Sequence, residues 1–150
     1  MTQAFEGIRI IDFSQVLAGP FASGQLAMLG ADVIKVEQPG VGDQMRTTMA
    51  NNKLADLKLS PGFMGVNANK RAITVDLKHP KAKEIIHRLL ADADVVLENF
   101  KAGVIERLGF GYEAVRAVKP DIIYCSVSGY GQQGPMAGKA AYDGAIQAVS

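Results

Sequence analysis

Gly7-Ile-Arg-Ile-Ile-Asp-Phe-Ser-Gln-Val-Leu-Ala-Gly-Pro20 is the stretch on which the reading of this 150-residue chain turns. Ile8, Ile10, Ile11 and Phe13 form a β-branched and aromatic run of strand length that stops at Ser14-Gln15. Gly19-Pro20 breaks the strand, and Pro20 suits the first turn of a helix, where a missing N–H costs nothing. The spacing predicts a helix over 21–29, closed by Gly30, and a second strand over 33–37. Strand, helix, strand within about thirty residues is one βαβ unit, whose strands run parallel through a right-handed crossover. Residues 14–19 then lie at the carboxyl end of the first strand, where open α/β sheets bind ligands.

The same alternation continues downstream. Strands are predicted over 71–77, 93–98 and 121–128. A helix starts at His79-Pro80 with Ala82, Ile85, Ile86, Leu89 and Leu90 on its apolar face. Shorter helices are predicted over 104–108 and 112–119, the latter closed by Pro120, and residues 140–150 have helical composition with no stop signal. Residues 44–69 show no sustained periodicity and read as an irregular segment. The expected fold class is α/β: one domain, a mostly parallel sheet and helices on both faces.

Composition narrows the function. An apolar fraction of 48% supports a globular core, and a net charge of +1 gives no electrostatic case for nucleic acid or an anionic membrane. Cys125, the single cysteine, lies in an apolar run and reads as a buried thiol. The N-terminus lacks a basic region followed by an apolar one, and no apolar run is of membrane-spanning length, so a cytoplasmic location is expected. His79 and His87 are not spaced with other ligands, so no metal site is expected.

Four segments should meet at the carboxyl ends of the strands: 14–18, 76–78, 99–103 and 128–134. Their inventory of amides, hydroxyls and cations (Gln15, Lys78, Asn99, Lys101, nearby Arg107) suits an anionic, phosphate-bearing ligand with an adenine-like part. Glycines 129, 131 and 134 match G-x-G-x-x-G, but Pro135 follows where a helix should begin, so a glycine-rich turn is the better reading. Asp12, ending the first strand, is expected as a buried hydrogen-bonding carboxylate.

The opening stretch, Leu29-Gly-Ala-Asp-Val-Ile-Lys-Val-Glu37, Asn69-Lys-Arg71, Asp94-Val-Val-Leu-Glu-Asn-Phe100 and Tyr142-Asp143 together resemble the family III coenzyme A transferases, relatives of alpha-methylacyl-CoA racemase. The resemblance covers essentially the whole chain. It implies a Rossmann-like CoA-binding domain at 1–150, forming the N-terminal part of the large domain of a longer subunit that pairs as an interlocked homodimer. It implies acyl-CoA and carboxylic acid substrates, and CoA contacts from Leu17, Ala18, Val75, Lys78, Asn99, Phe100, Lys101, Arg107 and Tyr142. Arg107 would meet a phosphate and Phe100 would pack on adenine. Gln38 departs from the family, which often carries Arg there.

The family's nucleophile is an aspartate in a Gly-Asp motif downstream of Tyr-Asp. No Gly-Asp follows Tyr142, so the catalytic aspartate is expected after Ser150 and these residues alone are expected to be inactive. The racemase branch places His where Tyr142 stands. A phenol with an ordinary pKa near 10 is a poor base at neutral pH, which favours transferase over racemase, with a non-catalytic CoA-binding piece as the further alternative.

Overall fold

The computed structural model describes residues 2–48 and 51–150. β1 (Arg9–Asp12), α1 (Ala18–Met28) and β2 (Asp32–Glu37) form the expected unit. α1 begins ahead of Pro20, which falls inside the first turn, where an N–H has no carbonyl to bond. β3 (Arg71–Thr74), β4 (Val95–Glu98) and β5 (Ile123–Ser126) complete a parallel sheet of order β3-β2-β1-β4-β5. This is the doubly wound order of a Rossmann-like domain, with its switch point between β1 and β4.

Alternation along β1 explains the two layers. Ile10, registered with Val33 on β2, packs with Ala27 and Ala31 on one face; Ile11, registered with Ile34, joins the larger core on the other. α4 (Ala82–Ala91), α5 (Val104–Arg107) and α6 (Tyr112–Val118) cover that larger core through Ile86, Leu90, Ile105 and Val115. Phe13 and Phe110 stack within it at 6.0 Å between ring centroids.

Residues 44–69 depart from the irregular segment expected. They hold a 3-10 turn (Gln44–Arg46), α2 (Asn52–Asp56) and α3 (Pro61–Asn67). Each starts at a side-chain cap: Asp43 accepts from Met45 N–H, Asn51 from Leu54 N–H and Ser60 from Phe63 N–H. These elements are too short for periodicity to register, whereas Ser60-Pro61 is a legible helix start. α3 packs against α1 at Gly24, where an added Cβ would stand 2.6 Å from the Val66 carbonyl oxygen.

Three further expectations change. α4 starts at Ala82, not Pro80, because His79 N–H turns back onto the Asp76 carbonyl and Lys81 N–H bonds His79 Nδ1. Ile85 is exposed, and the buried stripe of α4 is Ala82, Ile86 and Leu90. Cys125 is exposed as well. It lies on β5, which among the described residues pairs only with β4, and it shares with exposed Ile123 the face opposite Tyr124, the residue packed on the core. Residues 129–141 are turns and bends with no helix directly after the glycines, as expected for a glycine-rich turn, and α7 (Asp143–Gln147) follows Tyr142.

Candidate active site

The carboxyl ends of β1 and β2 are built on buried charge. Lys35 is 1% exposed and Asp43 2%, and the two face each other. Lys35 Nζ donates to the Ser14 carbonyl at 2.7 Å and lies 2.8 Å from Asp43 Oδ2, a contact aligned as an ion pair and not as a hydrogen bond. Asp12, buried as expected, accepts from Ser23 Oγ at 2.6 Å, from Lys70 Nζ at 3.0 Å and from Ser14 N–H at 2.9 Å. Two lysines thus face two aspartates, and the cluster is formally neutral. Burial works to raise the Asp12 pKa, but Lys35, Lys70 and the two serine hydroxyls outweigh it and hold the carboxyl below its ordinary value. Burial pushes the Lys70 ammonium down, against the pull of Asp12.

Glu37, at the end of β2, is clamped by Arg46 in a bidentate pair with both contacts at 2.6 Å, and it also accepts from Asp43 N–H at 2.8 Å. Burial again opposes ionisation, and the Arg46 pair with the Asp43 amide wins, so Glu37 also sits below its ordinary pKa. The Arg46 guanidinium lies 3.8 Å above the Phe63 ring, which ties α3 to this corner. The alternation Val33-Ile-Lys-Val-Glu37 carries the signal for these pairs, but the tertiary partners Asp43, Arg46 and Lys70 have no mark in the local sequence.

On this base sits the turn of residues 14–18. Asn99 Oδ1 accepts from Gln15 N–H at 2.8 Å, and Asn99 Nδ2 donates to the Gln15 carbonyl at 2.7 Å. Val16 follows with φ +70°, a left-handed conformation that costs a β-branched residue roughly 1–2 kcal/mol. Its N–H donates to Asp43 Oδ1 at 3.1 Å. The β1–β4 switch point, the expected ligand crevice, is therefore bridged by protein at its centre.

The opening lies to one side, over β2 and β3. A cavity of about 210 Å³ is lined by Gln15, Val75, Lys78 and Phe100, with Val36, Leu77, Val104 and Leu108 as apolar wall and Glu37, Gln38 and Asp76 at its polar edge. It is smaller than the usual 300–1,000 Å³ ligand pocket. Three of the four expected segments meet here; residues 128–134 are not in its lining.

Of the residues expected at the ligand, Val75, Lys78 and Phe100 line this cavity. Leu17 and Ala18 are exposed where the turn enters α1, and Lys101 is exposed just beyond Phe100. Asn99 has both ends of its amide engaged by Gln15. Arg107 is exposed on α5, folded toward Gly103. Tyr142 is 65% exposed ahead of α7 and is not among the lining residues.

Glu98, between these loops and the sheet, accepts from Phe100 N–H at 2.8 Å. Burial pushes its carboxyl above the ordinary value, against the Ser126 hydroxyl and the Phe100 N–H, which favour the ionised form. Consecutive residues thus divide the work: Glu98 holds the Phe100 backbone, Asn99 holds Gln15, and Phe100 faces the cavity.

Known proteins show the same arrangement of chain. The sequence profile described as CoA-transferase family III matches residues 5–150. The chain belongs to the family III CoA-transferases. It is 45% identical to the succinyl-CoA:glutarate CoA-transferase of Mus musculus over 148 residues, covering 97% of this chain and 33% of that protein. It is 44% identical to the formyl-CoA:oxalate CoA-transferase of Bradyrhizobium sp., covering 98% of this chain and 34% of that protein. The crystal structure of a CAIB/BAIF family protein from Brucella suis superposes with a TM-score of 0.87 at 37% identity, over 99% of this chain and 39% of that one. The chain spans about a third of the length of these curated relatives.

Proposed function

We propose that residues 1–150 form the CoA-binding domain of an enzyme that moves CoA between an acyl-CoA and a carboxylic acid. The observation that supports this most is the cavity lined by Gln15, Val75, Lys78 and Phe100, within a family III chain. Phe100 and the aliphatic wall offer an adenine a stacking surface, while Lys78 and Arg107 offer charge to phosphates. Leu17, Ala18 and Lys101 extend the contact over the open surface, and Tyr142 closes on the ligand from the loop before α7.

In this reading an aspartate outside residues 1–150 attacks the thioester carbonyl. A C–O bond forms, the C–S bond breaks, and a mixed anhydride and CoA thiolate result. The thiolate then attacks the aspartyl carbonyl, releasing the first carboxylate and leaving an aspartyl-CoA thioester. An acceptor carboxylate reverses both steps and leaves as the new acyl-CoA. The work of residues 1–150 is to hold the CoA through this exchange, in an interlocked homodimer of the full-length subunit.

The test is an acyl-CoA donor and a dicarboxylate acceptor incubated with the full-length polypeptide, with hydroxylamine added to trap the enzyme thioester. Exchange of CoA and an enzyme-bound hydroxamate are expected, with no transfer by residues 1–150 alone. Turnover by those residues alone, or solvent deuterium entering the acyl α-carbon without exchange, refutes the proposal.

A further inference from the structure

Asn99 is an obvious ligand contact by position, yet its whole hydrogen-bonding capacity toward the neighbouring loop is spent on one backbone unit. Its carboxamide accepts from the Gln15 N–H at 2.8 Å and donates to the Gln15 carbonyl at 2.7 Å, as a neighbouring strand would. The other ends of these same two peptide groups are also held from outside the loop. Lys35 Nζ donates to the Ser14 carbonyl at 2.7 Å, and Asp43 Oδ1 accepts from the Val16 N–H at 3.1 Å. Three side chains from three segments therefore converge on consecutive backbone groups. The second of these peptides leads into Val16, with α1 beginning at Ala18 on its other side; Val16 stands at φ +70°, a conformation that a β-branched residue leaves when nothing holds it.

The packing beneath the turn agrees. At Gly19 an added Cβ would collide with the Ser14 side chain and stand 3.7 Å from Asn99 Cγ, so the amide is enclosed between Gln15 and the start of α1. Gln15 is the one residue of this turn whose contacts reach the cavity. What fixes the Gln15 backbone also fixes what the cavity presents to a ligand.

We infer that Asn99 is a positioning residue: with Asp43 it locks Val16 in the left-handed conformation, and this lock sets the Gln15 wall of the CoA cavity. The inference rests on the CoA reading above and concerns how the site is held, not which ligand fills it. A glycine at position 16 enters the left-handed region about as readily as the right-handed one, so it has far less need of the lock. Without Asn99, a valine there leaves the binding conformation by a factor of roughly 5–30, whereas a glycine leaves it by about 2.

The experiment is a double-mutant cycle on the full-length polypeptide, with coenzyme A titrated by calorimetry into wild type, N99A, V16G and V16G/N99A. N99A is expected to weaken binding roughly 5–30-fold in the wild-type background and no more than about 2-fold in the V16G background. N99D, which keeps the acceptor for Gln15 N–H but sets a carboxylate oxygen against the Gln15 carbonyl, should weaken binding at least as much as N99A and serves if N99A does not fold; N99D binding as tightly as wild type overturns the lock. An equal loss in both backgrounds means Asn99 touches the ligand directly and overturns the lock while leaving the CoA reading intact. No binding by the wild-type protein overturns both.

Discussion

Replacing Lys35 by methionine should be among the most damaging single changes available to this fold. The ammonium is 1% exposed, faces Asp43 at 2.8 Å and donates to the Ser14 carbonyl at 2.7 Å. Methionine fills most of the volume but leaves the Asp43 carboxylate buried with two backbone N–H donors, from Val16 and Met45, and no cation in direct contact. Breaking a buried pair from one side costs about 3–5 kcal/mol, a large fraction of a typical domain's 5–15 kcal/mol. The double variant K35M/D43N behaves differently. Asparagine keeps an oxygen for both N–H groups and carries no charge, so the pair is removed from both sides and the cost should fall to about 1–2 kcal/mol. The assay is urea unfolding followed by far-ultraviolet circular dichroism at neutral pH, comparing midpoints at equal slope. A K35M cost below about 1 kcal/mol, or a double variant no more stable than K35M, would refute the uncompensated-charge reasoning.

Other consequences of the structure are as direct. Gly24→Ala should destabilise by about 1–3 kcal/mol, because its Cβ meets the Val66 backbone oxygen at 2.6 Å, whereas Gly65→Ala, open on all sides in α3, should stabilise by about 0.5–1 kcal/mol; thermal unfolding reads both signs. Phe100→Ala should weaken coenzyme A binding by about 1–3 kcal/mol through lost stacking, and Lys78→Ala, at an exposed site, by about 0.5–1 kcal/mol, with only the second effect shrinking as salt is added in calorimetric titration. For Glu98, whose folded pKa is raised by burial, the stabilising contribution is present below the ordinary value of 4.5 and is lost as pH rises through the folded one. E98Q should therefore match wild type in acid and exceed it at pH 7 in urea midpoint, since the amide oxygen still accepts from Phe100 N–H. Asp12 and Glu37 carry the opposite sign. Their depressed values stabilise the fold above their ordinary 3.8 and 4.5, and that stability drains as pH falls through the folded values, so acid unfolding should set in below about pH 4.

Much of this was legible in the chain. Ile8–Phe13, Gly19-Pro20, Gly30 and Val33–Glu37 each carry a local preference that agrees with its neighbours, and the βαβ unit they spell is the one observed. The ends of elements were less legible. β3 is shorter than its apolar run, and α4 waits for the Asp76 and His79 turns to finish, because hydrogen bonds to particular loop groups decide where pairing stops. The short helices of residues 51–67 are announced by caps and not by periodicity, and a helix of a turn or two has too few positions to show a stripe. Cys125 misled because an apolar run looks the same at an edge strand as at a central one.

The sequence by itself determined the layer architecture, the parallel sheet, the loops that reach its carboxyl end, and through its motifs the family. Local preference and hydrophobic period are properties of neighbours in the chain, and those suffice for such features. Only the tertiary structure decided which loop groups meet: Asn99 with Gln15 across 84 positions, Lys70 with Asp12 across 58, and Asp43 with the left-handed Val16. The first depends on the switch in strand order that brings β4 beside β1, the other two on how the segments after β2 and before β3 fold back over the end of β1, and no residue's local preference encodes either. That is why a stretch that reads as a plain strand followed by a helix carries, at Val16, a strained turn held from three sides.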